Sequence, residues 1–150
     1  MNQAERRIWL INALLDERPD GRDFAVPAGA SEQRDLLRAL MNVRPPEAIA
    51  TKILDVQNAY LQQRLVERGG ATDADTLPHH GRVAVWRGDI TLLKADAIVN
   101  AANSQMLGCF VPGHHCIDNA IHTYAGMQLR LACADIMNRQ GHEEPTAHVK

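Results

Sequence analysis

An α/β domain preceded by a helical N-terminal extension is the fold class predicted for this chain, and three observations predict it. Apolar side chains recur at helical spacing through residues 1–80, between proline and glycine breaks. Past residue 80 the pattern changes to short β-branched runs. From residue 117 the helical period returns and runs to Gly141, so strand, crossover, strand, loop and helix follow one another as an α/β unit.

Each element has its own warrant. Ile8, Ile11, Leu14 and Leu15 make a helical stripe stopped by Pro19 and Gly21. After the AVPAGA loop, Ser31 is the expected N-cap of a helix carrying Leu36, Leu37, Leu40 and Met41. Arg44-Pro45-Pro46 ends it, because proline disfavours the helical region for the residue before it. Ile49, Ile53, Val56 and Tyr60 predict a longer helix with Gly69-Gly70 as its stop. RVAVW (82–86) and DAIVN (96–100) read as strands, the second as a buried parallel one, with GDITLLKA between them as a short crossover or turn. Ile117, Ile121, Ala125, Leu129, Ala132 and Ile136 predict one continuous helix, and TAHVK reads as a strand beginning. Residues 1–80 are assigned to the extension and 81–150 to the α/β part. So few strands cannot cover both faces of a sheet, so 81–150 is expected to be the front part of a longer domain with an unpaired edge.

Bulk properties exclude several classes. The 150 residues are 45% hydrophobic and carry a net charge of −2, which predicts no nucleic-acid footprint. Aromatic residues are 4% of the chain, so no stacking platform for single strands is visible. The charged N-terminus lacks a signal-peptide pattern, and no apolar run is long enough to span a bilayer. A cytoplasmic protein with reduced cysteines is expected, and in that setting a close Cys/His cluster points to metal or catalysis.

Such a cluster stands in GCFVPGHHCIDNAIH, residues 108–122. Cys109, His114 and Cys116 form a C-x4-H-x-C arrangement, and thiolate and imidazole are the ligands zinc prefers. Pro112 and Gly113 allow a tight loop that returns Cys109 to Cys116, and His114 projects to the same side as Cys116 if the segment is extended. His115 is the rival ligand. Three ligands with an open fourth position are the pattern of a catalytic zinc. A lone cysteine is usually a small core hydrophobe, the reading taken for Cys133, while His79, His80, His142 and His148 read as surface residues. Asp118 stands where the last helix begins, either as its N-cap or beside an anion site made by the helix N-terminus. Asn100 and Asn103 lie at and beyond the carboxyl end of the predicted buried strand, where α/β sheets bind ligands.

Together WRGDIT, DAIVNAANSQMLG and DNAIHTYAG resemble the macrodomain family, which binds and cleaves ADP-ribose, over about Val83 to Gly126. The longer loop carrying CFVPGHHC is similar to that of the family's zinc-dependent branch, the protein-ADP-ribose hydrolases, whose N-terminal extension also has a segment like LLRALMNVRPP. The resemblance implies a mixed sheet between helices, here without the later strands and second phosphate loop. It implies one zinc per chain on Cys109, His114 and Cys116. It also implies that Asp89 accepts from the adenine amino group with Ile90 beside it, and that Asn100 and Asn103 orient the distal ribose. The backbone of Ile117, Asp118 and Asn119 would meet the pyrophosphate, and Asp118, with Asn103, would serve catalysis. The implied reaction is hydrolysis of the glycosidic bond at the distal ribose, releasing mono-ADP-ribose from acidic side chains of a modified protein, with weak or no activity in the 150-residue form. A lipoyl-carrier-like protein modified by a sirtuin-type transferase is the kind of target implied, with no nucleic acid or membrane partner. The rivals are a non-catalytic ADP-ribose reader and a structural zinc knuckle; a knuckle needs none of Asp89, Asn100 or Asn103.

Overall fold

The computed structural model describes residues 1–150. Three helices come first: α1 (Gln3–Asp16), α2 (Ala30–Val43) and α3 (Thr51–Glu67). Asn2 and Glu5 close a reciprocal capping box at the start of α1, satisfying two otherwise unpaired amides. The α1 stripe is rotated from the one expected: Leu10, Ile11, Leu14 and Leu15 are buried, while Ile8 is exposed. The first residue of α2 is Ala30 and its N-cap is Gly29, so Ser31 lies inside the helix and does not cap it. Arg44 is the extended residue that ends α2, as the Pro-Pro pair requires. Its buried guanidinium pairs with Glu17 (2.6 Å) and donates to the carbonyls of Glu47 (2.9 Å) and Ala48 (3.0 Å). After α3 the amide of Gly69 bonds the Val66 carbonyl and that of Gly70 bonds the Leu65 carbonyl, both at 3.0 Å. That is a Schellman stop, with both glycines at positive φ.

The apolar core belongs almost wholly to these helices. Leu10, Ile11, Leu14, Leu15, Leu37, Leu40, Met41, Ile53, Val56 and Tyr60 form one cluster, and Met127 is its member from the C-terminal half. Full burial of each such side chain contributes about 1.5–3 kcal/mol, so the three-helix unit is the main source of stability.

The central segment is sparser than expected. Strands β1 (Thr72–Asp73) and β4 (Leu93–Lys94) pair in parallel, and β2 (His79–His80) pairs antiparallel with β3 (Val83–Ala84) around Gly81. Only Val83–Ala84 of the predicted 82–86 strand is paired, and 96–100 forms no ladder. Val85 is 85% exposed and Val99 81%, so β-branched runs without a neighbouring strand leave their apolar faces open. The 90–92 stretch is a 3-10 turn, within the expected crossover, and 146–150 forms no strand.

The C-terminal helical run is two helices, α4 (Ile117–Ala125) and α5 (Met127–Gln140), not one. Gly126 separates them at φ 88° and ψ 169°, a region essentially reserved for glycine. Buried Gln57 of α3 accepts from the Met127 amide at 2.9 Å and so substitutes for the missing helical bond. Gly126→Ala would place its Cβ 2.5 Å from Gln57 Nε2. It is expected to destabilise the chain by about 1–3 kcal/mol in urea titration, the range for forced strain of this kind. Gly141 ends α5 in the left-handed conformation, as expected. No helix is long and apolar enough to cross a membrane.

Candidate metal centre

The loop before α4 gathers the soft ligands. A turn from Val111 to His114 is closed by an amide-to-carbonyl bond of 3.2 Å, with Gly113 at φ 64°. The ligand atoms of Cys109, His114 and Cys116 all lie within 4.8 Å of one another, and Cys109 Sγ is 3.4 Å from His114 Nδ1. Tetrahedral zinc with ordinary bond lengths requires sulfur–sulfur and sulfur–nitrogen separations of about 3.8 and 3.6 Å. The donor set and spacing therefore fit that ion, with His114 rather than His115 in the cluster. All three cysteines are free thiols. Cys133, on α5, is half-buried and stands outside the core cluster, so the core reading is corrected; burial and nearby Asp118 push its thiol up, opposed by Arg130.

Cys116 also caps α4: its sulfur accepts from the Asn119 amide at 3.3 Å. The N-cap reading of Asp118 is thereby corrected, for Asp118 is the second residue of α4, inside its first turn, and is 5% exposed. Asn100 donates to Asp118 Oδ1 at 2.7 Å, which joins the end of the 96–100 segment to α4. His122 Nε2 lies 3.6 Å from the same oxygen. Burial holds the His122 imidazole below its ordinary range; Asp118 opposes that shift and Arg130 adds to it. Gly108, at φ 80°, packs on the His122 ring, where a Cβ would come within 2.7 Å. Asn100 Oδ1 and His122 Nδ1 are buried without protein partners.

The other predicted residues are placed as follows. Asn103 accepts from the Gln105 amide at 3.1 Å and reaches the Gly108 carbonyl at 3.4 Å, next to Cys109 in sequence. Asp89 caps the 90–92 turn by accepting from the Thr91 amide (2.9 Å) and hydroxyl (2.7 Å), and it pairs with Arg68. Partial burial works against its ionised form, but the Thr91 and Arg68 hydrogen bonds prevail and hold the carboxyl below its usual range. Arg68 in turn lies over the Tyr124 ring, 3.6 Å from its centroid, so Asp89 and Ile90 sit alongside α4. Ile117 is exposed, whereas Asn119 is fully buried.

Three residues that the sequence does not point to, Arg38, Asn42 and Arg130, hold this loop together with Asn119. Arg38 of α2 donates to Asn119 Oδ1 (2.8 Å) and to the His114 carbonyl (3.0 Å). Asn42 accepts from the Gly113 amide (3.1 Å) and donates to Thr123 (3.0 Å). Asn119 donates its side-chain amide to the Val111 carbonyl at 3.1 Å. Arg130 of α5 is buried and donates to the carbonyls of Leu107 (2.7 Å), Asn42 (2.9 Å) and Arg44 (2.6 Å), with Phe110 over its guanidinium.

Residues 99–150, which hold the ligand-bearing loop and the helix with buried Asp118, match the Macro domain family. Over its whole length the chain is similar to protein-ADP-ribose hydrolases. It is 54% identical over 154 residues to one from Treponema medium, covering 100% of this chain and 59% of that protein. It is 45% identical over 144 residues to one from Staphylococcus aureus (strain MRSA252), covering 95% of this chain and 53% of that protein. A probable bifunctional ADP-ribose hydrolase/ADP-ribosyltransferase from Fusarium oxysporum f. sp. cubense is 40% identical over 119 residues, 72% of this chain and 20% of that protein. The chain thus spans a little over half the length of the bacterial relatives.

Proposed function

We propose that the chain supplies the metal centre and nucleotide contacts of a zinc-dependent protein-ADP-ribosyl hydrolase that releases mono-ADP-ribose from acidic side chains. Residues 1–80 serve as its helical extension and 81–150 as the first part of its macro domain. The observation that carries this reading is the three-ligand cluster at the start of α4, beside the Asn100–Asp118 pair. Cys109, His114 and Cys116 would hold zinc, which as a Lewis acid with an open position polarises oxygen ligands.

The chain's own residues divide the remaining work. Asp89, held ionised, accepts from the adenine amino group with Ile90 packed beside it. The amides of Ile117 and Asp118 have no protein acceptor and face an anion at the helix N-terminus, the place for the pyrophosphate. The Asn119 amide is engaged by Cys116 and contributes there through the geometry of the turn. Asn100 Oδ1, buried and unpartnered, accepts from a distal-ribose hydroxyl, since leaving such an atom unpaired costs about 1–3 kcal/mol. Asn103 orients the same sugar from the loop before Cys109. Asn100 holds Asp118 by Oδ1, and Oδ2 has no hydrogen bond to protein. That oxygen takes the proton of water as the water oxygen bonds to the anomeric carbon. The bond to the acceptor carboxylate breaks, and its electron pair leaves with the carboxylate. The targets are proteins bearing ester-linked ADP-ribose, with a lipoyl-carrier-like protein modified by a sirtuin-type transferase as one such substrate.

The test is release of free ADP-ribose from an ester-linked, mono-ADP-ribosylated protein, measured with a protein of the relatives' full length. Binding without release leaves a reader in place of an enzyme. A separate expectation concerns recognition. Asp89→Ala is expected to weaken ADP-ribose binding by about 1.5–3 kcal/mol, the range for a charge-assisted hydrogen bond, with zinc content unchanged. Equal affinities of variant and parent by calorimetry would remove Asp89 from the adenine site.

A further inference from the structure

We infer that α2, in the N-terminal helical extension, is a working part of the metal centre: Arg38 and Asn42 are positioning residues that hold the ligand loop in its chelating shape. The inference rests on the reading of Cys109, His114 and Cys116 as zinc ligands. The loop contributes few apolar residues to the core, and Phe110 and Val111 are exposed, so packing alone does not fix it. Polar contacts from α2 do. Arg38 Nη2 bridges the His114 carbonyl (3.0 Å) and Asn119 Oδ1 (2.8 Å), and Arg38 Nε reaches that same oxygen at 3.2 Å. One guanidinium fork thus joins the backbone of one ligand to the residue whose amide meets the sulfur of another. Asn42 holds the Gly113 amide, one residue before His114, and through Thr123 it is tied to the Asn119 carbonyl at 2.8 Å.

The chemistry of the two residues suits the task. Only a planar fork reaches two acceptors at fixed angles, and its charge lies beside a site that would hold two thiolates. A primary amide donates and accepts at once, so Asn42 serves the loop and α4 together. Outer partners of this kind typically change metal affinity by 10–100-fold when removed. Their effect here falls on the rate at which the loop opens and lets the ion go.

The experiment follows zinc release from the loaded chain to a chromophoric chelator, with the absorption spectrum of the cobalt(II) form as a second readout. Arg38→Ala and Asn42→Ala are each expected to release zinc at least ~10-fold faster than the parent and to alter the thiolate-to-cobalt bands. Arg38→Lys keeps the charge without the fork and is expected to release zinc faster than the parent too. Gln33→Ala is the control. It removes the buried Arg7–Gln33 bond (2.9 Å) on α2, away from the loop, and should lower the thermal midpoint without changing zinc release. Parent-like release from Arg38→Lys and Asn42→Ala overturns the inference, as does acceleration by Gln33→Ala equal to theirs. If Arg38→Ala does not fold, those variants decide. A parent that binds no zinc overturns the metal assignment itself, a different result from a parent that binds zinc with variants that hold it equally well.

Discussion

Cys116→Ser is expected to abolish stoichiometric zinc while leaving α4 in place. The cysteine caps the helix, since its sulfur accepts from the Asn119 amide, and the same atom is the proposed ligand. Serine is among the best N-cap residues, so the substitution retains the cap and removes only the thiolate. A neutral hydroxyl is a poor ligand for an ion that selects sulfur and imidazole. The loss should exceed the ~10–100-fold that removing an outer partner costs. Cys109→Ser is expected to behave alike, and His114→Ala nearly so. His115→Ala should matter far less, because the His115 side chain is not part of the cluster. The measurement is zinc per chain after exhaustive dialysis, beside a far-UV circular dichroism spectrum that should superimpose on the parent's. One zinc per chain in both serine variants would sink the ligand assignment, and a larger effect at His115 than at His114 would exchange those two.

Residue type and spacing made the Cys109, His114 and Cys116 cluster legible in the sequence, because C-x4-H-x-C needs only a tight turn to converge, and Pro112 and Gly113 provide one. The residues that hold the turn were not legible. Arg38 and Asn42 stand 76 and 71 positions away from their loop partners. In isolation they look like polar residues on an amphipathic helix. Helix existence was equally plain in α1 to α3, where apolar period, proline breaks and the Gly69-Gly70 stop agree. Exact faces and caps were less plain. Ile8 fits the period yet lies outside, because the core is on the side of Leu10 and Leu14. The break at Gly126 is not visible in the sequence, since the apolar period continues across it. What makes it a break is a positive φ and a cap from Gln57, a contact 70 residues distant. The β-branched runs at 82–86 and 96–100 carry strand propensity, but a strand exists only where a neighbour completes its ladder. The parallel pair that does form joins the polar residues of β1 to β4, helped by Lys94 on Asp73 at 2.7 Å.

Removing metal from a protein of the relatives' full length is expected to stop release of ADP-ribose from ester-linked substrate while binding of free ADP-ribose persists. The contacts proposed for adenine at Asp89 and for the pyrophosphate at the first amides of α4 do not include the side-chain atoms of Cys109, His114 or Cys116, so most ground-state affinity should survive chelation. Turnover depends on contacts that strengthen as charge develops at the anomeric carbon, and these are lost. Asp118→Ala separates the chain's part from the metal's. It should lower kcat by ~100-fold or more, the low end for a positioned general base, with a smaller change in ADP-ribose affinity and near-normal zinc content. Asp118→Asn is the more exacting variant. It preserves the side-chain volume and a hydrogen bond with Asn100 but cannot take a proton, so it should be about as slow as alanine if Oδ2 is the base. A parent-like rate in Asp118→Asn would make the aspartate a positioning group and transfer the proton step elsewhere. A metal-free protein that cleaves as fast as the zinc form would end the metal-dependent reading altogether. Absence of cleavage in both forms, with ADP-ribose still bound, would mean that the same contacts serve recognition without catalysis.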